Sequence, residues 1–84
     1  MKEKLELMVD DTRSLIEAGD VNLFRSYLDS LNISAIEDLI DELHEHASLI
    51  VETLSLNRAI NVFRILDVPT QERIIRKLSE KRVS

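Results

Sequence analysis

The 84-residue sequence predicts an all-α domain built from a repeating helix-and-tight-turn unit about a dozen residues long, on the strength of three observations. One glycine and one proline leave almost no punctuation for strands and hairpins. Apolar residues recur at spacings of three and four throughout, which is the period of one helix face. Five leucines, Leu31, Leu43, Leu54, Leu66 and Leu78, stand 12, 11, 12 and 12 residues apart.

The elements follow in order. A first helix from about Lys2 to Ala18 carries Leu5, Met8, Val9, Leu15 and Ile16 on or near one face. Gly19 suits the left-handed residue that ends a helix, and the Asp20 carboxylate can accept the orphan N–H groups of the next one. The second helix, about Val21 to Leu31, is expected to bury Leu23 or Phe24, Tyr27, Leu28 and Leu31. From Leu31 the repeat takes over. Positions five, eight, nine and twelve residues on are Ile36, Leu39, Ile40 and Leu43, then after Leu54 Ala59, Val62, Phe63 and Leu66, and after Leu66 Gln71, Ile74, Ile75 and Leu78. The unit between, His44 to Leu54, is one residue shorter and centres on Leu49, Ile50 and Val51. Short helices on this scale cannot each bury their own face and depend on their neighbours.

Polar caps replace glycine at the turns. Ser34 and Glu37 have the spacing of a capping box, while Asn32 could equally cap a helix beginning at Ile33. Asn57 is a candidate cap for the fifth helix. Asp67 precedes Val68-Pro69, and proline is tolerated in a first turn, where its missing N–H has no intrahelical partner. From Ser79 onward the pattern is lost, so residues 79–84 read as a frayed end or linker. A helical repeat stopping at Leu78 without a polar capping unit leaves an apolar end, which predicts more domain, a partner or self-association beyond it.

Composition narrows the function classes. The hydrophobic share of 44% is almost all aliphatic, with Phe24, Tyr27 and Phe63 the aromatics. Residues 1–84 are enough for one domain with a modest core. No cysteine is present, so neither a disulfide nor a thiolate site can form, which fits a reducing compartment. No apolar run approaches the roughly 20 residues of a membrane span, and direct membrane insertion is not expected. The net charge of −5 conceals a division: residues 1–52 carry thirteen acidic against four basic side chains, and residues 53–84 carry three against seven. The acidic half would repel nucleic acid and attract cations.

Catalysis is not expected. There is no glycine-rich phosphate loop, and none of the serines has an evident paired base. His44 and His46 lie two apart, not at the i, i+4 spacing of a helical zinc pair. The candidate site is acidic: Glu37, Asp38, Asp41, Glu42 and Glu45. Glu37, Asp41 and Glu45 are four apart, as are Asp38 and Glu42, and no Lys or Arg intervenes at that spacing. Like charges massed on one face disfavour the helix by a few tenths of a kcal/mol per pair, in order of magnitude, unless a cation offsets them. A hard divalent cation fits, Mg²⁺ above all, held loosely through water and shared with a second acidic surface.

Two stretches, Leu15-Ile16-Glu17-Ala18-Gly19-Asp20-Val21-Asn22 and Leu31-Asn32-Ile33-Ser34-Ala35-Ile36-Glu37-Asp38-Leu39-Ile40-Asp41-Glu42-Leu43, resemble the opening of the cytosolic N-terminal domain of MgtE-type magnesium channels. Leu54-Ser55-Leu56-Asn57-Arg58-Ala59-Ile60-Asn61-Val62-Phe63 is similar to that family's L-P-x-x-R-A-A-E-V-F segment, and Leu66-Asp67-Val68-Pro69-Thr70-Gln71 to L-D-P-x-x-Q. The chain departs from the pattern at Asn61, where the family often has Glu, and at Ile33, Ser55 and Val68, where it often has Pro. The resemblance implies a right-handed superhelix of about six short helices, on the cytoplasmic side of the membrane. It also implies a regulatory role, with Mg²⁺ bridging acidic surfaces between this domain, CBS domains and the channel. The middle domain of the flagellar motor switch protein FliG shares an L-D-x-x-x-A-x-x-(V/I)-(F/L) type of repeat, which would imply a metal-free protein-interaction module. A free-standing helical adaptor is the third expectation.

Overall fold

The computed structural model describes the backbone of residues 2–83 and the side-chain environment of residues 4–80; Met1 and Ser84, the latter part of the expected frayed end, lie outside the described residues. Among them run six α-helices: α1 Lys2–Ala18, α2 Val21–Asp29, α3 Ile33–Glu42, α4 Ala47–Thr53, α5 Leu56–Ile65 and α6 Val68–Val83, with a 3-10 turn His44–His46 between α3 and α4. No strand occurs among the described residues. The all-α expectation therefore holds, and α1 has the predicted limits.

The turns show what the leucine ladder encodes. Leu43, Leu54 and Leu66 are the C-terminal caps of α3, α4 and α5. Each leaves the helical conformation and sends its side chain into the core, at 0%, 5% and 6% exposure. A leucine that must be buried while its backbone turns away from the helix fixes where the next helix begins. Leu31, in the turn after α2, is half-buried. Leu78 breaks the rule: it lies inside α6, which continues to Val83. The last helix thus runs to Val83, through residues where the pattern predicts a frayed end or linker, and Ser79-Glu80-Lys81-Arg82 contains neither glycine nor proline to stop it.

Helix starts are mostly as the residues require. Asp20 accepts the Leu23 N–H at 3.1 Å and Asp67 the Thr70 N–H at 3.2 Å. The Thr70 hydroxyl and N–H together hold the Asp67 carboxyl below its ordinary range. Of the two candidate caps for α3, Asn32 is used, accepting the Ala35 N–H at 2.8 Å, and Ser34 lies inside the helix. Asn57 is not a cap: α5 starts two residues earlier than it would need to, at Leu56, behind Ser55, whose side chain makes no capping bond. Gly19 takes φ +74°, and its N–H returns to the Ile16 carbonyl at 3.2 Å. A Cβ there would meet nothing within 4 Å, so conformation and not space selects glycine.

Helix ends are closed differently. Without further glycines, the last carbonyls of three helices accept from side chains of elements later or earlier in the chain. Arg58 of α5 donates through Nη2 to the carbonyls of Leu28, at 3.2 Å, and Leu31, closing α2. Arg25 of α2 donates through Nε to Thr53, the last residue of α4, at 3.0 Å. Gln71 of α6 donates through Nε2 to Phe63 near the end of α5, at 2.6 Å.

Around these joints α1 packs on α2 and α3, α3 on α5, and α4 on α2, α5 and α6. The core is one cluster centred on Leu28, Ile36, Leu39, Ile40, Leu43, Ile50, Val62 and Ile74. α2 buries Phe24 and Leu28, while Leu23 is 57% exposed, which settles the alternative between Leu23 and Phe24. Thr12 is fully buried because its hydroxyl is satisfied by the Met8 carbonyl at 2.7 Å. Burial raises the Tyr27 pKa, with nearby Asp11 adding to the effect. Ile75, expected in the core as the partner of Ile74, is 53% exposed, since no further helix is packed on that flank of α6 among the described residues.

Two outcomes check this account. Leu39→Ala should lower unfolding free energy by about 3 kcal/mol in urea titrations, whereas Ile75→Ala should cost under about 1 kcal/mol. Arg58→Met should destabilise by about 2 kcal/mol by removing the side-chain donor from the Leu28 and Leu31 carbonyls at the end of α2 and in the turn after it, and Arg58→Lys should recover only part of that.

Candidate functional site

The five candidate carboxylates do not form the single face expected of them. α3 carries Glu37, Asp38, Asp41 and Glu42; Glu37 is half-buried and the other three are exposed. α3 ends at Glu42, so Glu45 falls in the 3-10 turn, off the Glu37–Asp41 ladder. The cause is Leu43, which at φ −115° and ψ 50° breaks the helix to reach the core. Glu45 instead meets Arg13 of α1 and Nε2 of His46, each at 4.0 Å. Its pKa is lowered, chiefly by a hydrogen bond from its own backbone N–H, and then by the adjacent histidines and Arg13.

The remaining carboxylates face α1 or solvent. Asp38 lines a shallow cleft with Lys4, Leu5 and Met8. Glu42 lines a second cleft of about 530 Å³ with Glu6, Val9, Asp10 and Arg13. Two carboxylates of this second cleft, Glu6 and Asp10, belong to α1 and were not among the sequence candidates. Their i, i+4 spacing was the available signal, but nothing in α1 alone indicates that it packs beside the end of α3. None of Glu37, Asp38, Asp41 and Glu42 forms an ion pair with a described residue.

This arrangement limits the chemistry. Among the described residues no group of three or more His, Asp or Glu side chains is placed to hold a metal ion. A divalent cation drawn to α3 would keep most of its water or take further oxygen ligands from another surface. His44 is exposed and His46 half-buried, both in the 3-10 turn. No described helix is long and apolar enough to cross a membrane.

The site thus belongs to the class of acidic helical surfaces open to solvent. No family model, characterised protein or solved structure matches the chain.

The Glu45 environment sets a pH dependence. Its folded pKa lies below the unfolded value of about 4.3, so its contribution to stability is present above that pH and is lost as pH falls through the folded pKa. A carboxyl-detected NMR titration should place its midpoint below about 4.3, and Glu45→Gln should flatten the loss of stability in that acid range.

Proposed function

We propose that the chain is a cytosolic regulatory domain of an MgtE-type magnesium channel, acting on the cytoplasmic side of the membrane and carrying out no catalysis itself. The observation that carries this reading is the set of α3 carboxylates Asp38, Asp41 and Glu42, exposed and without ion-pair partners among the described residues. The order of sequence segments that resemble that family supports it, as does the stack of short helices on which those segments fall. In this reading Mg²⁺ is the cofactor, and Glu37, Asp38, Asp41, Glu42 and Glu45 are the candidate acidic residues. CBS and transmembrane domains of the same protein supply the facing surfaces.

The mechanism is a population shift. Bound between two acidic surfaces, Mg²⁺ stabilises the packed arrangement; without it, like charges repel and the domain moves away. Ligands divided between two surfaces give the isolated domain little affinity of its own. A helical interaction module of the FliG-middle-domain kind is the second reading, favoured by the exposed Leu56, Ile60, Val68 and Ile75 of α5 and α6.

Two measurements test the proposal. The reading frame beyond Ser84 should encode CBS motifs and then hydrophobic spans; a motor-type C-terminal domain there would favour the second reading. Calorimetry of the isolated chain should give Mg²⁺ binding no tighter than about the millimolar range expected of weak extracellular-type oxygen sites, and submicromolar affinity would refute shared ligation.

A further inference from the structure

The molecule carries a second charged surface, opposite in sign to α3 and shaped as a cleft. Between α6 and the start of α4 lies a cavity of about 250 Å³. Arg73 and Lys77, four apart on α6, form one wall, and His44 and Ser48 line it with them, with buried Ile74 and exposed Glu45 also contributing. Neither Arg73 nor Lys77 forms an ion pair with a described carboxylate. Asp67 does feel the charge of Arg73, but its carboxylate is engaged by Thr70. The cleft therefore presents a guanidinium, an ammonium and a hydroxyl to an incoming acidic group, against one carboxylate, Glu45, which lies 4.0 Å from both Arg13 and His46.

The acidic groups that match it are on the same chain. Asp38, Asp41 and Glu42 stand three and four residues apart on α3, exposed and unpaired, in a half that carries thirteen acidic against four basic residues. We propose that the cleft between α6 and α4 receives the α3 carboxylates of a second copy of this chain. The net charge of −5 opposes the encounter of two copies, but range decides which effect wins. The longest dimension is 36 Å, whereas at physiological salt charges are screened beyond about 8 Å, so overall repulsion fades while contacts inside the cleft persist. Complementary patches then select the partner and its orientation. Exposed pairs are individually weak, so association belongs in the high-micromolar range, in order of magnitude. The pairing needs no metal and does not rest on the Mg²⁺ reading, although it engages the same α3 carboxylates and so competes with a cation for them.

Sedimentation equilibrium of the full chain up to about 1 mM, at about 50 and 500 mM salt, tests it. The expected result is reversible association at low salt that weakens at least about tenfold at high salt. Arg73→Glu/Lys77→Glu and Asp38→Lys/Asp41→Lys should each weaken self-association by at least about tenfold, with helical content by circular dichroism unchanged. Mixed together, the two charge-reversed variants should pair one to one. Arg73→Gln/Lys77→Gln, milder in charge, serves if a reversal unfolds the chain, and should also weaken association. A wild-type chain monomeric at the highest concentration and low salt, variants associating like wild type, or reversed variants that fold but fail to pair would each overturn the proposal.

Discussion

The fold depends on how helix ends are closed when glycine is not available to close them. An α-helix leaves its last four carbonyls without intrahelical partners, and burying such an end unsatisfied is costly. Only α1 ends in a left-handed glycine, Gly19. At the ends of α2, α4 and α5 side-chain donors come from Arg58, Arg25 and Gln71, each on a different helix from the one it closes, and at Leu28 and Phe63 they add to a backbone N–H. Each such bond is a cap and a tertiary contact at once, so helices of seven to ten residues, too short to persist alone, become parts of one structure.

Charge follows the same division of labour. Arg25 and Arg58 are engaged by backbone carbonyls, with Arg58 half-buried and its Nε 3.7 Å from Asp29. They offer little to offset the carboxylates of α1 and α3, which remain at the surface beside Arg13. On α6, Arg73 and Lys77 stay outside while Ile74 and Leu78, on the adjoining face of the helix, supply its packing. The separation of sign visible in the composition is thereby carried into three dimensions as an acidic α1–α3 side and a basic α6 wall.

Much of this was legible locally. Gly19-Asp20, Asn32 and Asp67 mark helix boundaries by interactions spanning three residues, and the positions Ile36, Leu39, Ile40 and Leu43 declare a buried face by their period. What escaped were effects with no local signature. Glu45 leaves the acidic ladder because Leu43 must turn inward, a demand set by the core and not by residues 44–46. Ile75 repeats the spacing of Phe63 yet lacks a helix to pack against, and a period cannot report an absent neighbour. Asn57 has good capping chemistry at a position where α5 has already begun. The donors Arg25, Arg58 and Gln71 could be read only as polar residues on helices, since a bond from Arg58 to Leu28 spans thirty residues.

The cross-helix caps also bear on how such a chain can change length. In most helical repeats a unit meets only its neighbours, so whole units can be gained or lost with the joints remade alike. Here α2 is closed by α5, three helices further on, and α4 by α2, two helices back. Excising α2, α5 or α6 would strip a side-chain donor from the end of a helix outside the excised segment, so loss of those units is opposed by the same bonds that hold the stack together.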